Sequence, residues 1–90
     1  MFKHENNRFY LENEEGKTLA KITYTYAGEN VIIVDHTFVD PSLRGQGIGS
    51  QLVEKVVLFA EDKNLKIIPL CPYAKKEFTE KEAYHKVWHK

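Results

Sequence analysis

Val31-Ile32-Ile33-Val34-Asp35-His36-Thr37-Phe38-Val39, followed by Asp40-Pro41-Ser42-Leu43 and then Arg44-Gly45-Gln46-Gly47-Ile48-Gly49-Ser50-Gln51-Leu52, is the stretch that decides the fold. It reads as a strand, a short turn and a glycine-rich loop that opens a helix. Three glycines at alternate positions let the backbone come close to a ligand. The first-turn N–H groups of a helix have no carbonyl partners of their own, and the helix dipole adds positive potential at that end. Strand, tight loop and helix start in this order predict a phosphate site.

Glycine spacing alone leaves other readings open. A dinucleotide-binding fold calls for an acidic residue at the end of the next strand, about 20 residues on; this chain has Leu70-Cys71 there. A nucleoside-triphosphate loop calls for Gly-Lys-Ser/Thr, and Gly49-Ser50-Gln51 has no lysine. The plainest alternative is a flexible loop and helix start that bind nothing.

Arg44, Gly47 and Gly49 meet the pattern Gln/Arg-x-x-Gly-x-Gly/Ala, with Phe38-Val39-Asp40-Pro41 just upstream. There the chain resembles the GCN5-related N-acetyltransferases at their acetyl-CoA loop. The resemblance runs over residues 31–75 and looks most like the small single-domain subgroup with a Cys-Pro-Tyr segment, matched by Cys71-Pro72-Tyr73. It implies acetyl-CoA or CoA as cofactor. The loop Arg44, Gly45, Gln46, Gly47, Ile48, Gly49 and Ser50 would receive the pyrophosphate, and backbone groups of Phe38 and Val39 would bond the pantetheine. It also implies acetyl transfer to an amine of unspecified identity, one carried on a protein included. The alternative is a non-catalytic CoA-binding or protein-interaction module.

The chain has 90 residues, 42% apolar and 29% charged, which fits one globular domain over residues 1–90. Thirteen basic and thirteen acidic residues cancel, so no global field favours nucleic acid or a membrane surface. A single cysteine closes no internal disulfide, no stretch is long enough to span a bilayer, and the N-terminus has no apolar run. A cytoplasmic protein, monomeric or weakly dimeric through Tyr24, Tyr26 and Trp88, is the expectation.

Met1 to Asn7 reads as a frayed lead-in, Arg8 to Leu11 as a short strand and Glu14 to Lys17 as a turn. Leu19 to Tyr26 alternates as a strand and turns back through Ala27 to Asn30 into Val31–Val39, an antiparallel meander. Ile48 to Lys63 carries an apolar stripe, Asn64 is placed to cap it, and Lys66 to Cys71 reads as a strand parallel to Val31–Val39. Pro69 in that strand fits either an edge position or a splay between the two parallel strands; the family resemblance implies the splay, with the pantetheine arm in the gap. Tyr73 to Phe78 reads as a short helix, and Thr79 three residues before Glu82 has the spacing of a capping box for a last helix through Trp88. The expected fold class is α/β (α+β): a mixed, mainly antiparallel sheet with one parallel pair, packed by helices, the pair splayed as the family resemblance implies.

Amine acetylation needs a neutral amine and a stabilised oxyanion. Asp35, His36, Cys71, Tyr73 and Tyr84 are the nearby candidates. Cys71, at the end of the last strand, could hold the acetyl group or give a proton to the departing thiol, or be a small buried apolar residue. His36 could act as a base near neutral pH or be a structural, hydrogen-bonded histidine, Tyr73 could line the cofactor groove or pack, and Tyr84 reads mainly as core. His85 and His89 share a helical spacing with metal half-sites but lack a constellation around them, so no metal is expected.

Overall fold

The structure is a computed structural model and describes residues 2–89. Five strands, β1 (Lys3–Glu5), β2 (Arg8–Glu12), β3 (Thr18–Tyr26), β4 (Val31–Val39) and β5 (Lys66–Pro69), form one sheet in sequential order. The first three pairings are antiparallel and β4–β5 is parallel. Helix α1 (Ile48–Lys63) makes the crossover, and α2 (Pro72–Glu80) and a 3-10 segment (Glu82–Val87) follow β5.

The core lies on one face of the sheet. Ala20, Ile22 and Tyr24 of β3, Ile32 and Val34 of β4 and Ile67 of β5 meet Leu52, Val53, Val56, Val57 and Ala60 of α1. Asn64 ends α1 in the left-handed region at φ 57, and the Leu65 N–H bonds the Ala60 carbonyl at 2.8 Å, which satisfies the last turn. Asparagine tolerates that conformation better than most residues.

One irregularity matters most. Along β4, His36 faces Thr23 but Val34 faces Tyr24, so Asp35 is an extra, unpaired residue. Such a bulge flips the side-chain alternation of everything beyond it. Ile32 and Val34 face α1 before it; Thr37 and Val39, cross-strand from Ile22 and Ala20, share that face after it. His36 and Phe38 therefore lie on the opposite face, where both are exposed.

Several expectations need correction. The residues read as a frayed lead-in contain β1, which pairs with β2 through a tight turn at Asn6 (φ 53) and Asn7 (φ 59); paired positive-φ residues are what a two-residue hairpin requires. Met1 lies outside the described residues. The strand expected to reach Cys71 ends at Pro69, and Cys71 instead precedes the first turn of α2. Thr79 forms no capping box: its hydroxyl bonds the Lys75 carbonyl within α2 at 2.9 Å, and the last segment is 3-10, not α. Pro69 is on the edge strand. Leu70 and Lys66 direct their N–H groups at β4 and its preceding turn, so by alternation the missing donor of Pro69 faces outward. On that outer side the His89 N–H reaches the Ile67 carbonyl at 2.8 Å.

Ile22 is fully buried in the middle of this arrangement. Ile22→Ala should cost about 2–5 kcal/mol in urea unfolding, whereas Thr25→Ala, exposed on the same strand, should stay within about 0.5 kcal/mol of the parent.

Candidate functional site

The β4–β5 ladder stops at one atom. The Val34 carbonyl accepts N–H bonds from both Leu70 and Cys71, each at 3.0 Å, and the chain then turns into α2. Beyond Val34, β4 runs on to Val39 with no β5 residue beside it. The parallel pair thus splays, and the opening continues into a cleft of about 310 Å³ lined by Thr37, Val39, Leu43, Arg44, Gly45, Gly47, Ile48, Gly49 and Tyr73.

Local chemistry builds each wall. Asp40 ends β4, and its Oδ2 accepts from the Ser42 N–H at 3.0 Å and from the Ser42 hydroxyl at 2.6 Å, closing the Pro41–Leu43 turn. Gly47 precedes α1 at φ 75, a conformation costly for side-chain-bearing residues. The first helical bond runs from the Gln51 N–H to the Gly47 carbonyl, which leaves the amides of Ile48 and Gly49 without intrahelical partners beside the cleft. Arg44 is exposed at the rim and enters no salt bridge among the described residues.

Gly49 also makes room for a neighbouring side chain. A Cβ there would stand 2.8 Å from the Tyr73 hydroxyl and 2.9 Å from its ring carbon. The close approach at Gly49 is made by the protein's own phenol.

Tyr73 and Cys71 come from the segment where β5 becomes α2. Cys71 is buried, and its thiol donates to the Thr37 hydroxyl at 3.3 Å. Burial pushes this thiol up, but the Thr37 hydroxyl and the first-turn amides of Ala74 and Tyr73 outweigh it and bring the group below its ordinary value. The Tyr73 hydroxyl stands 3.2 Å from Ser50 Oγ, which donates to Glu77 Oε2 at 2.9 Å. Lys81 Nζ lies 2.7 Å from Glu77 Oε1, close enough to pair by charge though outside hydrogen-bond geometry. Burial pushes the Glu77 carboxyl up; the Lys81 ammonium and the Ser50 hydroxyl overcome it and hold the group below its usual value.

Of the residues singled out in the sequence, Val39, Arg44, Gly45, Gly47, Ile48, Gly49 and Tyr73 line the cleft, and Phe38, Gln46 and Ser50 do not. His36 and the Phe38 side chain lie on the far face of the sheet. Cys71 is set behind the wall, touching it through Thr37. Tyr84 is buried in the core, and His85 is engaged with the Phe78 carbonyl at 2.8 Å. Thr37, Leu43 and Glu77 escaped the sequence reading. Thr37 depends on a bulge that no residue type announces; Glu77 had a signal in its spacing of four from both Tyr73 and Lys81.

A sheet of this order, with a splayed parallel pair and a glycine-opened helix at the splay, is the acyl-CoA N-acyltransferase architecture. The chain belongs to the GCN5-related N-acetyltransferase family, whose profile matches residues 8–87. It is similar over 99% of its length to 87% of a GCN5-like protein from Staphylococcus aureus, at 39% identity and TM-score 0.84. An acetyltransferase from Bacillus cereus matches 67% of the chain over 43% of its own, at 33% identity and TM-score 0.59. A Mycobacterium tuberculosis protein in complex with CoA shares the fold, at 18% identity and TM-score 0.61, over 81% of this chain and 47% of that one. No curated protein matches the chain. Among the described residues, no helix is long and apolar enough to cross a membrane.

Two outcomes test the site's construction. Gly49→Ala should displace the Tyr73 ring and cost about 1–3 kcal/mol in urea unfolding, and adding Tyr73→Ala should make the pair cost less than the sum. Because the Glu77 carboxyl is held below its ordinary 4.5, its contribution is present in full above that value and lost as pH falls through the folded one. Glu77→Gln should therefore flatten the acid limb of stability measured by denaturation against pH.

Proposed function

We propose that this chain is an acetyl-CoA-binding N-acetyltransferase-like protein that passes an acetyl group to an amine, including one borne on a protein. The observation that carries the reading is the meeting of the β4–β5 splay with the unpaired amides at the start of α1. The residues present fit the cofactor. Gly47, Ile48 and Gly49 supply N–H donors for the pyrophosphate, with Gly45, Gln46, Ser50 and the Arg44 charge completing the anion site. The unpaired edge of β4 near Phe38 and Val39 supplies backbone groups for the pantetheine. Bound there, acetyl-CoA supplies an acyl group activated as a thioester.

Cys71, set behind the cleft wall at Thr37, is the residue of this set able to hold an acyl group or a proton. The Thr37 hydroxyl orients its Sγ, and the lowered thiol value favours the nucleophilic thiolate. Tyr73 lines the groove. His36 was a candidate base, but its side chain faces away from the cleft, and that placement favours a second reading: a module that holds CoA without turning it over. A single domain working in a reducing, cytoplasmic setting is in keeping with one apolar core and one free thiol.

Calorimetry with CoA comes first; a chain that does not bind it is neither enzyme nor CoA module. Incubation with acetyl-CoA and a panel of amines then separates those two by release of free thiol and appearance of acetylated product. Cys71→Ala should abolish transfer while leaving CoA affinity within about twofold of the parent. Unchanged turnover would remove Cys71 from the chemistry.

A further inference from the structure

Tyr73, one wall of the cleft, is tied to a buried carboxylate that has no role above. Glu77 follows Tyr73 by one turn of α2 and is 8% exposed. The Lys81 ammonium beside Oε1 keeps it ionised, and an ionised carboxylate only accepts hydrogen bonds. Ser50 has one hydroxyl proton and gives it to Glu77 Oε2. With Ser50's proton spent, the Tyr73 hydroxyl directs its own proton inward, to the Ser50 oxygen or to the Glu77 carboxylate, which it also reaches. Proton direction thus runs from the cleft wall inward, and the Tyr73 oxygen is left with lone pairs for whatever fills the cleft.

The ligand group that passes this point follows from position. Tyr73 packs against Gly49, in the first turn of α1, and lies two residues beyond Cys71. With a diphosphate at the α1 amides and a thioester toward Cys71, the segment between them is the pantetheine arm, whose hydrogen-bond donors include two amide N–H groups.

We infer that Glu77 is a positioning residue: it orders the Tyr73–Ser50–Glu77 hydrogen bonds so that the Tyr73 oxygen accepts an amide N–H of the pantetheine arm. The inference rests on the CoA reading. It also gives Tyr73 the part of an acceptor at the groove, since its proton is committed inward, to Ser50 or Glu77.

The test is calorimetry on the full chain with two probes, CoA and adenosine 3′-phosphate 5′-diphosphate, which keeps the nucleotide and both bridging phosphates but lacks the arm. Tyr73→Phe, which keeps the ring against Gly49, should weaken CoA about fivefold to tenfold, the worth of one hydrogen bond, and leave the nucleotide probe unchanged. Glu77→Gln, whose carboxamide can donate as well as accept, should weaken CoA at least about threefold with the same selectivity. Unchanged CoA binding in Tyr73→Phe or in a folded Glu77→Gln, or equal losses for both probes, would overturn the inference while leaving the cofactor reading standing. A parent chain that binds neither probe overturns both. Should Glu77→Gln fail to fold, Ser50→Ala, which removes the hydroxyl between Tyr73 and Glu77, takes its place with the same expected loss for CoA.

Discussion

The Val34 carbonyl is the hinge of this molecule. By accepting two N–H groups it ends the parallel ladder and sends the chain into α2 instead of along β4. Without that stop, β5 could continue beside Thr37 and Val39, and those residues would be ordinary interior strand. With it, the far half of β4 has a free backbone edge, and α2 comes forward to form the opposite wall. The unpaired Asp35 completes the arrangement one residue later by turning Thr37 and Val39 toward the opening.

The two walls hold each other. Tyr73 from α2 lies against Gly49 of α1, and Glu77 reaches Ser50 of the same helical turn. A glycine is thus needed at two places for two reasons: Gly47 for its backbone angle and Gly49 for the space its missing side chain leaves. The cost of burying the Glu77 charge is offset by Lys81 on one side and a hydroxyl on the other, an arrangement in which breaking either partner leaves a poorly compensated carboxylate. The start of α1 and the hydrogen-bonded wall are therefore one construction.

Much of this was legible in the residues. The bounds of α1 and β4, the left-handed Asn64 cap and the parallel placement of β5 all follow from periodicity, capping chemistry and turn residues, signals that act over a few neighbours. What escaped acts at longer range or has no residue signature. A one-residue bulge changes which face His36 and Thr37 occupy without altering composition. The β1 strand is too short and too polar to show alternation, though Asn6-Asn7 marked its turn. The expected last helix failed at Lys81, which adopts an extended conformation and pairs with Glu77 instead. The spacing of Tyr73, Glu77 and Lys81 was present in the sequence, but only the neighbouring helix revealed that a buried charge lay along it.

The bond from His89 to the Ile67 carbonyl has one more implication. A sheet with sequential strand order has two rims, and each displays main-chain groups able to recruit another chain. Trp88 and His89 cover the β5 rim beside the cleft, and the β1 rim is short and carries Lys3 and Glu5. Both outer rims therefore offer little main chain for strand addition, and the longest run of unpaired backbone lies inside the sheet, along β4 beyond Val34.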